Sequence, residues 1–217
     1  MNVEQARFNM IEQQIRPWDV LDPNVLSLLA VVKREDFVPA AYRSLAFIDM
    51  EVPLPGGQNM LAPKVEARLL QELAVHRHER VLEVGAGSGY MAALLSHQAQ
   101  HVTTMEIAAD LAQLAADNLR RASVMNVAVV HASGARGLPA DAPFDVILLS
   151  GSVAELPSAL LSQLKVGGRL AAIVGQMPIM RATLVTRSSE QSYTSVELFD
   201  TVATRLTGFD EPSRFHF

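Results

Sequence analysis

The chain has 217 residues, of which 49% are apolar and 19% charged, as in a soluble globular protein with one sizeable core. It contains no cysteine, which excludes disulfides, thiolate zinc sites, iron–sulfur clusters and a cysteine nucleophile. The formal net charge of −5 disfavours nucleic acid as a partner, because phosphate backbones attract clustered lysine and arginine.

The N-terminal region is predicted to be helical. Phe8, Ile11 and Ile15 recur at helical spacing and are expected to face the core, and Pro17 ends the run. A second helix is expected to begin at Asp22-Pro23, where the acid can cap the helix and proline fits its first turn. We therefore predict a helical extension before the main sheet.

Neither a membrane span nor an export signal is predicted. No stretch approaches the roughly 18 consecutive apolar residues that a spanning helix needs. The first residues also lack the basic-then-apolar order of a signal peptide. A cytoplasmic location is expected.

Proline and glycine interrupt residues 37–63, which are expected to form an irregular, ordered loop, with helix resuming over 64–73. From residue 80 onward, short apolar runs alternate with helical patterns, which is typical of a doubly wound, mostly parallel sheet with helices on both faces. Two later strands are expected to be antiparallel, which makes seven, and Gly167-Gly168 is predicted to end the last helix. The predicted strands are 80–84, 102–106, 127–131, 145–149, 169–174, 182–186 and 194–199, and the helices between them are 90–96, 110–121 and 155–164. A loose segment is expected around Pro212.

A glycine-rich loop follows the first of these strands. In the run from Val81 to Tyr90, glycine occupies positions 85, 87 and 89, where a buried strand turns into a helix. Glycine lets the backbone approach a ligand closely, and the helix start offers free N–H groups. A pyrophosphate-binding fingerprint would be G-x-G-x-x-G, but Tyr90 stands at its third glycine position. The loop is therefore predicted to hold a nucleoside without a pyrophosphate.

An acid at the end of the second strand supports this prediction. Glu106 can accept hydrogen bonds from both hydroxyls of a ribose, and an ionised acceptor strengthens such bonds. Loop and acid together fit S-adenosylmethionine, which carries no phosphate. Glu83, on the first strand, is expected either to order the loop or to face the amino group of this cofactor.

Several motifs resemble one enzyme family. They are Arg34-Glu35-Asp36-Phe37-Val38-Pro39, Gly57-Gln58 with Pro63, the run from Val81 to Tyr90, Phe144-Asp145-Val146-Ile147, and Gln163-Leu164 with Gly167-Gly168-Arg169-Leu170. Over most of its length the chain resembles the protein-L-isoaspartate O-methyltransferase family. The resemblance implies an S-adenosylmethionine-binding sheet, methyl transfer to a carboxylate of an isomerised aspartyl residue in damaged protein, and a loop around 54–63 covering the active site.

The residue patterns and the resemblance together divide the chain and assign its site. Residues 1–63 would form a helical segment with the active-site loop, and residues 64–217 a cofactor-binding core, within one compact unit. The implied cofactor-binding residues are Glu83, Gly85, Ala86, Gly87, Ser88, Gly89, Tyr90, Glu106, Ile107, Ser133 and Gly134.

Two positions depart from the family pattern. The family pattern across the loop is similar to Gly-Gln-Thr-Ile-Ser-x-Pro. Leu61 therefore stands where a hydroxyl would orient the acceptor, and Asn59 is the candidate to supply that hydrogen bond instead. Ser133 stands where an acid would hold the adenine amino group. Three hypotheses stay open: an isoaspartyl methyltransferase, a methyltransferase for another small or protein substrate, and a non-catalytic module that binds S-adenosylmethionine.

Other candidate sites are weaker. His76 and His78 lack further ligands for a metal, so no metal site is predicted. Ser88 lacks the flanking sequence of a hydrolase nucleophile. Ser150 and Ser152 are expected to be turn residues at a strand end rather than substrate contacts.

Overall fold

The computed structural model describes residues 2–211. Its helices are α1 (Val3–Met10), α2 (Pro23–Val31), α3 (Pro63–Leu73), α4 (Tyr90–Ser96), α5 (Ala109–Arg121) and α6 (Ser158–Leu161). Its strands are β1 (Val52–Pro53), β2 (Asn59–Met60), β3 (Arg80–Val84), β4 (His101–Glu106), β5 (Val127–His131), β6 (Phe144–Val153), β7 (Leu164–Gln176), β8 (Ile179–Arg187) and β9 (Tyr193–Thr201). The Pro212 prediction lies outside the described residues.

Strands β3 to β9 form one sheet in the order β5-β4-β3-β6-β7-β8-β9. The first five strands in this order, β5, β4, β3, β6 and β7, pair in parallel, and β8 and β9 are added by antiparallel pairing. This confirms the prediction of a doubly wound, mostly parallel, seven-stranded sheet with an N-terminal helical extension. Strand order reverses between β3 and β6, and ligands of such sheets bind at the carboxyl ends of the strands beside this switch point.

Each face of the sheet has its own apolar core. Along β3, Val81 belongs to the core that also holds α4 and α5, whereas Leu82 belongs to the core that holds α6. Strand β6 alternates in the same way at Val146 and Ile147. Because neighbouring side chains of a strand point to opposite faces, such buried runs identify strands covered on both sides.

The helical extension differs in detail from its prediction. Ile11 and Ile15 are buried, as expected, and the carboxylate of Asp22 accepts the N–H of Asn24 at 2.8 Å, as a helix cap does. Phe8, however, is 58% exposed, so its predicted inward position is wrong. Met10 faces inward instead, because α1 ends there and the chain continues in a wider π-helical turn that changes the spacing.

Two further corrections concern the strands around α6. That helix has only four residues, and Leu164 already pairs with Phe144, so positions 167 and 168 lie within β7 and do not cap a helix. Strand β6 extends past its predicted end to Val153 through an irregularity in its pairing with β7. Ser150 and Ser152 are therefore strand residues, and their prediction as turn residues is wrong.

Residues 37–63 are largely irregular, as predicted, but contain the short 3-10 helices Ala40–Leu45 and Pro55–Gly57 and one pair of strands. Strands β1 and β2 pair in antiparallel fashion, with Val52 opposite Met60 and Pro53 opposite Asn59. This small hairpin fixes the loop that carries Asn59 and Leu61. Within residues 2–211, no helix is both long and apolar enough to cross a membrane.

Candidate active site

The glycine loop leaves β3 at the switch point and folds back on the end of β4. Its first N–H, that of Gly85, donates to the carbonyl of Met105 at 2.9 Å. The backbone at Gly87 has a φ of +51°, a left-handed conformation that favours glycine. This turn aims the Gly87 N–H at the Glu106 carboxylate, 3.0 Å away.

Glu106 is buried and accepts two backbone hydrogen bonds. Its Oε2 accepts from Gly87, and its Oε1 accepts from the N–H of Ala108 at 3.1 Å. A carboxylate offers about four acceptor positions, so about two remain for other donors. The acid is therefore held rigidly with capacity left for a pair of hydroxyls.

A cavity of about 290 Å³ opens beside this carboxylate. This volume lies near the lower end of the range for small-molecule sites. Of the predicted cofactor residues, Gly85, Gly87, Glu106, Ile107 and Gly134 line the cavity. The other lining residues are Pro55, Gly56, Gln58, Val84, Met105, Ala108, Leu111, Ser150, Leu206, Thr207 and Phe209.

A second, smaller cavity of about 20 Å³ lies between the glycine loop and the β1–β2 hairpin. Gly85 and Ser150 line both cavities, so the two adjoin. Among the predicted site residues, the small cavity also brings together Asn59, Leu61, Glu83, Ala86, Ser88 and Tyr90. The predicted catalytic pair thus lies next to the predicted cofactor loop.

Two predicted cofactor residues lie outside both cavities. Gly89 packs against α5, where a Cβ would lie 3.1 Å from the carbonyl oxygen of Ala115. Ser133 is exposed and lies next to Gly208, whose added Cβ would be 3.2 Å from the serine hydroxyl. The structure therefore places Gly89 in a packing position and Ser133 beside the C-terminal segment.

Glu83 is fully buried below the loop. Its two oxygens accept hydrogen bonds from the hydroxyls of Thr104 at 2.7 Å and Ser150 at 2.6 Å. Burial raises the pKa of Glu83 to about 7, and the nearby charge of Glu106 adds to the rise. Glu83 can therefore change its protonation near neutral pH beside the cofactor loop.

The active-site loop is tied down by a buried arginine that the residue patterns did not single out. Arg34 pairs with Glu66 on α3, donates to the carbonyl of Leu61 at 2.8 Å, and lies 5.2 Å from the centre of the Tyr90 ring. Leu61 itself is buried and offers no polar group from its side chain. Arg34, the first residue of the Arg34–Pro39 motif, thus joins that motif to the loop.

The C-terminal segment also belongs to the site, and sequence reasoning missed it. Residues 203–206 run alongside the end of β6, where Ser152 donates its N–H to Thr204 and accepts from the N–H of Leu206, both at 2.9 Å. This pairing carries Leu206, Thr207 and Phe209 into the cavity wall. No local pattern could have found them, because their partners lie about fifty residues earlier in the chain.

His76 and His78 stack with their ring centres 6.0 Å apart. Across residues 2–211, no group of three or more histidine, cysteine or acidic side chains is arranged to hold a metal ion. The Ser88 hydroxyl accepts the N–H of Tyr90 at 3.3 Å, which is a helix-start contact.

The sequence itself is similar to a known family along almost its whole length. The family model described as Protein-L-isoaspartate(D-aspartate) O-methyltransferase (PCMT) matches residues 5–206. A protein-L-isoaspartate O-methyltransferase of Rhodopseudomonas palustris (strain ATCC BAA-98 / CGA009) is 39% identical over 200 residues, 92% of either chain. The chain belongs to the protein-L-isoaspartate O-methyltransferase family. Another member, from Koribacter versatilis, is 41% identical over 181 residues, which are 83% of this chain and 81% of that one.

Solved structures agree on the fold. A protein-L-isoaspartate O-methyltransferase structure superimposes with a TM-score of 0.80 at 24% identity, over 93% of this chain and 66% of that one. A structure from Plasmodium falciparum, described as a putative family member in complex with S-adenosyl-L-homocysteine, gives 0.78 at 20% identity, over 95% and 99%. Family membership confirms the predicted enzyme class, an O-methyltransferase with S-adenosylmethionine as methyl donor.

Proposed function

We propose that this protein methylates the free carboxylate of isoaspartyl residues in damaged proteins and peptides. The observation that supports the proposal is that the two cavities adjoin. The active-site loop with Asn59 and Leu61 therefore lies next to the glycine loop and Glu106, which are expected to hold the nucleoside. In this proposal, residues 64–217 hold the cofactor and the loop within residues 1–63 faces the acceptor. The protein acts in the cytoplasm on protein substrates and not on nucleic acid, in keeping with its net charge of −5.

The residues present fit the cofactor. Glu106 has acceptor capacity left for the ribose hydroxyls, and Ile107, Leu111 and Phe209 give the cavity apolar walls suited to an adenine ring. Glu83 lies beside Gly85, and its ionised carboxylate can pair with the positively charged amino group of the cofactor. When bound, S-adenosylmethionine supplies an electrophilic methyl group on a positively charged sulfur.

The protein's part of the reaction is to position and desolvate. A carboxylate acceptor is ionised at neutral pH, since its reference pKa is about 4, and no general base is required. The loop around Leu61 and the segment with Leu206 shield the reacting groups from water, which strengthens electrostatic contacts there. At the small cavity, Asn59 is the loop side chain with a donor for the acceptor, since Leu61 has none.

Leu61 favours a second candidate acceptor. The family pattern has a hydroxyl residue at this position, whereas this chain has the buried aliphatic side chain of Leu61. This favours, as the alternative, a carboxylate of another shape on a small molecule or protein. Family membership favours either enzyme over a non-catalytic module.

The test is methyl transfer from labelled S-adenosylmethionine to a synthetic isoaspartyl peptide, with the aspartyl peptide of the same sequence as control. The expected result is label in the isoaspartyl peptide alone, released as methanol by mild alkali because the product is a methyl ester. Equal labelling of both peptides, or none although S-adenosylhomocysteine binds, would overturn the isoaspartyl assignment and leave the alternative acceptor.

A further inference from the structure

Three polar side chains connect the active-site loop to the C-terminal segment. The amide nitrogen of Asn59 donates to the hydroxyl of Thr204 at 2.7 Å. The same hydroxyl lies 3.1 Å from Oε2 of Glu51, and the backbone N–H of Thr204 donates to Oε1 of Glu51 at 3.2 Å. Glu51 therefore holds Thr204 at two points, and Thr204 holds Asn59.

The chemical groups of Glu51, Thr204 and Asn59 fix the direction of each of these hydrogen bonds. A carboxylate accepts hydrogen bonds and cannot donate them, so the single hydrogen of the Thr204 hydroxyl points to Glu51. The hydroxyl is then left as an acceptor for its third neighbour. The group that Asn59 turns to it must be the NH₂, because the amide oxygen facing the same lone pairs would repel them.

The amide of Asn59 has a second N–H and an oxygen available at the small cavity. Asn59 lines that cavity together with Gly85 and Ser150. Within residues 2–211, its amide makes no further hydrogen bond, so the second N–H and the oxygen stay free. The neighbouring Ser150 hydroxyl already donates to Glu83. The second N–H of Asn59 is thus a donor at the place where an acceptor carboxylate would need one.

We propose that Glu51 and Thr204 are positioning residues for methyl transfer, which act by holding the Asn59 amide with its second N–H available to the acceptor carboxylate. The inference rests on the proposed function and deepens it. It also accounts for Leu61: the donor that this position lacks is supplied two residues earlier, and its orientation is set by residues 51 and 204. Glu51 itself lines neither of the two cavities.

The first experiment replaces Thr204. Thr204→Val keeps the shape but removes the hydroxyl, and is expected to lower kcat/KM for the isoaspartyl peptide by about tenfold to a hundredfold, the scale of one lost charged hydrogen bond. Binding of S-adenosylhomocysteine should change by less than about threefold, since Asn59 does not line the larger cavity. Thr204→Ser, which keeps the hydroxyl, should restore the activity. Thr194→Val, an exposed threonine on β9, is the matched control.

The second experiment asks whether Glu51 acts through Asn59. Glu51→Gln should lower peptide kcat/KM in the wild-type background, because an amide no longer fixes which way the Thr204 hydrogen points. In an Asn59→Ala background the same substitution should have almost no effect, since the group it positions is gone. Glu190→Gln removes an equal charge in the β8–β9 turn and serves as control.

The outcomes separate this inference from the proposed function. No transfer by the wild type would overturn both. Transfer by the wild type that Thr204→Val leaves unchanged, with an unchanged Tm, overturns the positioning role alone. The positioning role is also overturned if the fold-losses in kcat/KM from Glu51→Gln and Asn59→Ala multiply in the double variant. It is overturned as well if cofactor affinity falls as much as kcat/KM, since either result would mean a general structural effect.

Discussion

Glu106→Gln tests the cofactor site most directly. The carboxylate serves two backbone N–H groups, of Gly87 and Ala108, and has room for two hydroxyls. A glutamine amide keeps one accepting oxygen and turns its NH₂ toward the other pair of donors. One backbone N–H and one ribose hydroxyl then lose their acceptor.

The two losses fall on different measurements. A buried N–H without a partner costs about 1–3 kcal/mol of stability, which lowers Tm by roughly 2–12 °C in a chain of this size. The lost charged hydrogen bond to the cofactor is worth about 1.5–3 kcal/mol, so Kd for S-adenosylhomocysteine should rise by about 10- to 100-fold. Isothermal titration measures Kd and thermal denaturation measures Tm, with Glu190→Gln as the charge-matched control.

The outcome that refutes the reasoning is specific. If folded Glu106→Gln binds S-adenosylhomocysteine within about threefold of the wild type, the carboxylate does not hold the ribose. A fall in Tm without a change in Kd would limit Glu106 to ordering the glycine loop.

Two other predictions concern stability. Gly89→Ala places a Cβ 3.1 Å from a backbone oxygen of Ala115 at a φ of +82°, and should cost about 2–4 kcal/mol, whereas Gly167→Ala, at a φ of +85° in open space, should cost only the conformational part, about 1–2 kcal/mol. Equal falls in Tm would contradict the packing argument. Burial raises the pKa of Glu83 from 4.5 to about 7, so its protonated form adds stability that is complete below pH 4.5 and is lost as pH rises through 7. Glu83→Gln should therefore flatten the fall in Tm between pH 5 and 8, and an unchanged slope would show that Glu83 does not titrate there.

The sheet could be predicted from the sequence because its central strands are buried on both faces. The run 80–84 matches β3 at both ends, because Val81, Leu82 and Val84 are buried in a central strand, and the run 127–131 matches β5, a partly buried edge strand. Glu106 and the glycines could be placed for the same reason: a strand end followed by a helix start fixes their neighbours. The family resemblance named the methyl donor that this arrangement suits.

Interactions between distant segments could not be predicted. Strand β6 continues to Val153 because it pairs again with β7 beyond an irregularity, and the C-terminal segment pairs with it at Ser152; no pattern within residues 145–153 indicates either contact. Asn59 was expected in the site, but its fixed amide depends on Thr204, 145 residues later. Phe8 was misplaced because a π-helical turn after Met10 changes a spacing that the residue types do not reveal.

The contact between the two walls of the larger cavity can couple cofactor binding to binding of the acceptor at the adjoining small cavity. Gln58, within the active-site loop, donates to the hydroxyl of Thr207 at 3.3 Å, so each wall holds the other in place. Any acceptor that favours this joined arrangement must raise the affinity for the cofactor by the same factor by which the cofactor raises the affinity for the acceptor. The departure of such an acceptor after methylation would lower the affinity for the spent cofactor by the same linkage.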